Sequence, residues 1–340
     1  MRWRDINIWV KRGGAAVTAA ALAGGGYLWL ERHSPEHKLS EACSGMLPVA
    51  ETMAVTGDDF KLSSWGYDVS SGVVEPPGLA ARCHIGSTWV DIQTASGAHS
   101  PFGDYTFQRR DDVLPVPLGS GWSGFIVAEE EDELGASVLL DCPDWNSREG
   151  SGILVTVTKS YTDAHSTSAR RNLARVAAGT AQRAAERTGC HADPGTRIER
   201  VDPAPPPPDT SVAAEFPKGT CTGLTSHRAF RETAADTAPV EHCVLEDGLA
   251  LHAEYGPFAR SESDGEYGGQ SRPAGNARHF AWASARCQGA DDIAMYWATP
   301  TENADREPSK QLLNAAELND LRRFARDSAA RHGCSAPTVP

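Results

Sequence analysis

Eight cysteines fall into two sets of four, and the residues around them repeat. Cys43-Ser-Gly-Met answers Cys221-Thr-Gly-Leu. Ala81-Arg82-Cys83-His84-Ile85 answers Glu241-His242-Cys243-Val244-Leu245, and Gly189-Cys190-His191-Ala192 answers Gly333-Cys334-Ser335-Ala336. The remaining pair, Cys142 and Cys287, precede Cys190 and Cys334 by 48 and 47 residues, each interval ending in a helical pattern. The earlier intervals differ in length, as loop insertions in the first copy would make them. Such self-similarity predicts one fold written twice.

An even cysteine count spread over a long chain fits a disulfide framework. Zinc sites usually draw their ligands from close pairs, and no C-x-x-C occurs here. No metal or cofactor site is expected. Four cysteines per copy allow three connectivities. The preference is Cys43 with Cys83 and Cys142 with Cys190, then Cys221 with Cys243 and Cys287 with Cys334. Each bridge would contribute about 2–4 kcal/mol through loop closure.

Disulfides persist outside the cytoplasm, and residues 13–30 supply a way there. This run of 18 residues carries no charge. As a helix it would rise about 27 Å, close to a hydrocarbon core of about 30 Å. Arg2, Arg4, Lys11 and Arg12 precede it, so the N-terminus stays in the cytoplasm and the remainder is exported. Trp9, Tyr27 and Trp29 sit where interfacial aromatics are expected. The alternative is a cleaved signal peptide, with a small-residue site at Ala21-Leu22-Ala23. The layout expected is a cytoplasmic tail (1–12), a transmembrane anchor (13–30), a stalk (31–38), a first disulfide-bonded domain (39–194), a Pro-rich linker (195–215) and a second domain (216–340).

The net charge is −13, and about −16 for the exported part. Nucleic acid and anionic lipid surfaces both need a basic footprint, so neither is an expected partner of the exported domains. Membrane lipid is expected around residues 13–30 alone.

Along the chain, His33 and His37 are four apart, but Pro35 between them argues for a solvated linker. Leu47–Met53 reads as a short helix ending near Gly57. Strand patterns cover 84–94, 124–128, 136–141 and 152–160, then 249–255, 279–286 and 292–299. The acidic run 129–133 reads as a charged hairpin loop. Residues 163–188 form an amphipathic helix with its arginines on a solvated face and Gly189 at its end. Pro203–Pro208 favours an extended spacer, and 261–275 a long loop. Asn314 and Glu317 make a capping box for a second helix that ends at Gly333. Each copy is thus α+β: an antiparallel sheet of three or four strands with a C-terminal covering helix.

Chemistry is harder to find. Gly121-Trp122-Ser123-Gly124-Phe125 has only the first half of a nucleophile elbow. His84, His191, His242 and His332 each lie within two residues of a cysteine, and adjacency to a bridge accounts for them. Trp65, Trp89, Trp122, Trp145, Trp282 and Trp297 could line a sugar groove; Trp89, Trp282 and Trp297 lie in strand patterns and are expected in the core. No catalytic residue is assigned.

The basic-flanked Ala/Gly anchor, the excess of Arg over Lys and the two Cys-x-Gly starts at Cys43 and Cys221 carry a resemblance. The chain resembles uncharacterised single-pass or secreted actinobacterial envelope proteins with disulfide-rich ectodomains. That resemblance implies no catalytic residues. The function expected is a membrane-anchored extracytoplasmic protein that binds an envelope protein or ligand without catalysis. The alternatives are a cell-envelope hydrolase or a passive scaffold.

Overall fold

The computed structural model describes residues 34–57, 80–95, 114–130, 132–145, 152–203, 217–224, 228–259, 272–277, 280–301 and 312–340. The proposed anchor 13–30 lies outside them, as do His33, most of the Pro203–Pro208 run and most of the 261–275 loop. Among the described residues no helix is long and apolar enough to cross a membrane.

The chain is α+β, with two six-stranded antiparallel sheets. In the first half these are β1 (Ala80–Ile85), β2 (Thr88–Thr94), β3 (Val116–Pro117), β4 (Gly124–Glu130), β5 (Glu133–Asp141) and β6 (Gly152–Ser160), in the order β1-β2-β6-β5-β4-β3. In the second they are β7 (Ala229–Glu232), β8 (Val240–Leu245), β9 (Leu249–Tyr255), β10 (Gly275–Ala277), β11 (Phe280–Arg286) and β12 (Ile293–Pro300), in the order β7-β8-β9-β12-β11-β10. The expected three or four strands per copy are therefore six. The excess comes from the short strands β3, β7 and β10, from the splitting of the 84–94 run into β1 and β2, and from β8, whose polar Glu241 and His242 interrupt its apolar pattern.

One structure underlies both orders. Reading across the first sheet from Cys83 gives Cys83, Val90, Val157, Ala136 and Ile126. Reading across the second from Cys243 gives Cys243, Leu251, Ala298, Ala281 and Asn276. Hence β1, β2, β6, β5 and β4 correspond to β8, β9, β12, β11 and β10 in order and in register. Cys142 and Cys287 then follow six residues after Ala136 and Ala281. The bridges are Cys43–Cys83, Cys142–Cys190, Cys221–Cys243 and Cys287–Cys334, the favoured pairs, and there are no free cysteines.

The helices that accompany the sheets include α1 (Pro35–Glu41), α2 (Val49–Thr56), α3 (Thr167–Thr188) and α4 (Ala315–Arg331). Ser166 caps α3 by accepting from the Ala169 amide, and Gly189 ends it at φ 67°. The Asn314/Glu317 capping box starts α4. Each long helix covers one sheet face with alternating apolar residues: Val90, Ile92, Val138 and Val155 under α3, and Leu251, Ala253, Ala283 and Ala298 under α4.

Three expectations are corrected. Residues 35–41 are helical because Pro35 occupies the first turn, where its missing N–H costs nothing, with Ser34 as N-cap. The single run 84–94 is a hairpin that turns at Gly86-Ser87, Gly86 taking φ 63°. Arg170 on α3 is buried rather than solvated, donating through Nη2 to the Asp202 carbonyl, and burial pulls its pKa down.

The halves also share a seam. Phe125, Val127, Leu139 and Leu154 leave the face opposite α3 and meet Val240, Phe258 and Ala290. Asp141 accepts the Ala290 amide at 3.0 Å. Gly289 has φ 68°, and a Cβ there would stand 2.5 Å from the Asp141 carboxylate, so only glycine fits the crossing. This double cover explains why β5 is buried almost throughout.

Candidate binding surface

Alternation along β1 and β2 sends Ile85, Val90 and Ile92 towards α3, and Arg82, His84, Trp89, Asp91 and Gln93 to the opposite face. The seam covers that face over β4, β5 and β6 and reaches Ala95 just past β2. Among the described residues, the turn end of β1 and β2 is left exposed at Trp89. His84 and Trp89 are directly opposed, and their rings stack with centroids 3.9 Å apart. Trp89 is 44% exposed, against the expectation of a core position. A period of two shows that Trp89 alternates, but not which face is covered. Beside the stack, Arg82 Nε donates to Asp91 Oδ1 at 2.5 Å, an exposed pair worth about 0–1 kcal/mol.

The equivalent face of the second half is closed. Its row runs His242, His252, Trp297, Trp282 and Gly275. His242 and His252 meet edge-on at 4.3 Å, and Trp282 and Trp297 are buried as expected. Where the first half has His84 opposite Trp89, the second has Val244 opposite Ala250.

A second feature lies on the helix side of the second half. Glu241 on β8 points into the core and is 1% exposed. It accepts from Ser328 Oγ at 2.8 Å, Arg331 Nη2 at 2.6 Å and His332 Nε2 at 3.0 Å. Ser328 spends its only proton on Glu241, so Tyr255 donates to Ser328, at 2.5 Å. The Tyr255 ring stacks on His332 at 3.7 Å. The other His332 nitrogen faces Asp291 at 3.8 Å. Burial works to raise the Glu241 pKa, but His332 and Arg331 hold it below the ordinary value. Burial likewise opposes a charged His332, yet Asp291 and Glu241 outweigh it and raise its pKa. Burial, with the Glu241 charge, pushes the Tyr255 phenol well up. His332 therefore does more than neighbour a bridge. Ser328 and Tyr255 are fully buried, so this cluster ties α4 to its sheet and offers no accessible nucleophile.

The other candidates disperse. His191 pairs with Asp144 at 2.7 Å on the surface. Trp122 is buried, its Nε1 donating to the Thr196 carbonyl, and the Ser123 carbonyl accepts the Leu139 amide, so this segment starts β4. Trp145 is partly buried; Trp65 and Glu131 lie outside the described residues. A groove of about 490 Å³ runs along α3 beside Trp122 and residues 195–198. Its Arg175 is already held by the Ile198 carbonyl and Glu199. Among the described residues, no three His, Cys, Asp or Glu side chains group as metal ligands. No protein-family model, no curated protein and no solved structure matches this chain.

Proposed function

We propose that the chain is an extracytoplasmic binding protein, anchored by residues 13–30 and built from two duplicated domains, 39–194 and 216–340. On this reading it recognises another component of the cell envelope, without catalysis, through the open face around Trp89. Four disulfides support an oxidising, extracellular setting.

The observation that carries the binding surface is Trp89. A half-exposed indole on a flat sheet face, stacked on His84 and flanked by Arg82 and Asp91, combines a large apolar area with a polar rim. Covering such a side chain contributes about 1.5–3 kcal/mol, and tryptophans of this kind dominate interfaces.

Proteoliposomes carrying the full chain, incubated with isolated cell-wall material, provide the test. Trp89→Ala should weaken retention by about tenfold or more while the thermal midpoint holds. Equal retention of wild type and variant would sink the proposal.

A further inference from the structure

The cross-strand stack holds the Trp89 indole by one ring face. The His84 and Trp89 rings lie 3.9 Å apart and 16° from parallel, so the imidazole on β1 covers one side of the indole and the other side turns towards β6. Trp89 is 44% exposed with that side taken, which leaves the second ring face and the rim as its free area. The described strand positions around it on this face are polar. His84 and Thr158 stand directly across, Asp91 next along β2, and Arg82 and Thr156 diagonally. Arg82 Nε donates to Asp91 Oδ1, which balances the two charges beside the ring and sets guanidinium donors next to carboxylate acceptors.

We infer that this platform takes a neutral saccharide, one pyranose ring lying flat on the free face of Trp89 with its hydroxyls at the Arg82–Asp91 pair and Thr158. This rests on the binding reading above and names the class of ligand. The indole face is electronegative, and a sugar ring presents a face of polarised C–H groups that packs against it. The hydroxyls at the sugar rim both donate and accept, as a paired guanidinium and carboxylate require. A folded protein fits less well. A standard interface takes about 800 Å² from each partner around an apolar core, and here one indole stands among polar neighbours. A single indole also falls short of the aromatic cage that receives a quaternary ammonium. The net charge of −13 disfavours anionic sugars. The second half has no such platform, because Val244 and Ala250 occupy the positions of His84 and Trp89.

The probes are cellotriose, mannotriose and galactotriose at about 10 mM, a level that loads a site of millimolar Kd. Each is mixed with the full chain in micelles of a polyoxyethylene detergent, which carries no sugar, and saturation transfer from protein to sugar C–H protons is read by NMR. At least one trisaccharide should receive the transfer. Trp89→Ala should abolish it, and Asp91→Ala, which removes one exposed ion pair and leaves the fold intact, should lower it severalfold. Choline offered in the same way should receive none. No transfer to any of the three sugars, transfer undiminished in Trp89→Ala, or transfer to choline alone would overturn the saccharide. The two readings fail separately. Cell-wall retention that falls in Trp89→Ala without any trisaccharide signal would remove the saccharide and leave the binding reading standing. Retention and signal both indifferent to that change would remove both.

Discussion

The two halves share a register and differ in what they do with it. On the helix side, Glu241, Tyr255, Tyr296, Ser328 and His332 stand where the first half has Ala81, Thr94, Val155, Ala184 and Thr188. The first half instead carries an apolar core, to which its N-terminal segment adds the buried Leu39, Met46 and Leu47. A buried ionic cluster is therefore no requirement of the fold. On the opposite face the second half buries Trp282 and Trp297, while the first half is covered at the seam and exposes Trp89 at the turn end of β1 and β2. One scaffold gives a locked half and a half with a free face, and binding is assigned to the free one.

The largest effect should come from Glu241→Ala, which takes the carboxylate from the buried His332 and the partly buried Arg331. Removing one partner of a buried pair costs about 3–5 kcal/mol, read as a fall in the urea midpoint. Glu241→Ala with His332→Thr restores the first-half pattern and should cost less than Glu241→Ala alone. A double variant as unstable as the single one would break the comparison.

Next come the bridges. Loops of 48 and 47 residues should make Cys142–Cys190 and Cys287–Cys334 nearly equal, each about 2–4 kcal/mol on replacement by alanine pairs. Loops of 40 and 22 residues should make Cys43–Cys83 the stronger of the other two by about 0.5 kcal/mol. Paired denaturation curves check both.

A smaller, signed effect follows pH. The His332 pKa is raised in the folded chain, so its contribution is complete below the ordinary histidine value of about 6.5. It is lost as pH rises through the folded value above that. Asp141, raised chiefly by burial and further by Asp291, works in the same direction from 3.8 upward. Exchange protection at Leu251 should therefore fall as pH rises above about 6.5, relative to Val90, whose half has Thr188 at the equivalent position. A parallel response in both halves would contradict the difference. The smallest effect is Asp91→Ala, which removes one exposed ion pair and should shift stability by at most about 1 kcal/mol.

Much of this was legible beforehand. β6 and β9 follow their apolar runs, and Gly189, Asn314 and Glu317 mark helix ends by backbone chemistry that depends on few neighbours. The misses depend on tertiary context. Pro35 argues against a helix from sequence alone, yet in the fold it opens one. The 84–94 run continued through a turn because Gly86 and Ser87 are its only sign. Trp89 could not be placed outside without knowing which face the second half covers. The ionic cluster had a signal: aligning the repeats sets Glu241 on Ala81 and His332 on Thr188, a charge facing a small residue at two core positions.

The exposed face of the first half against the closed face of the second is most directly tested by acrylamide quenching of indole fluorescence on the full chain, compared between Trp89→Phe and Trp297→Phe. Trp89→Phe should remove a clear share of the readily quenched emission and Trp297→Phe almost none, because Trp89 is exposed and Trp297 buried. Equal losses would mean that Trp89 is covered as Trp297 is, and the assignment of binding to the first half would fall.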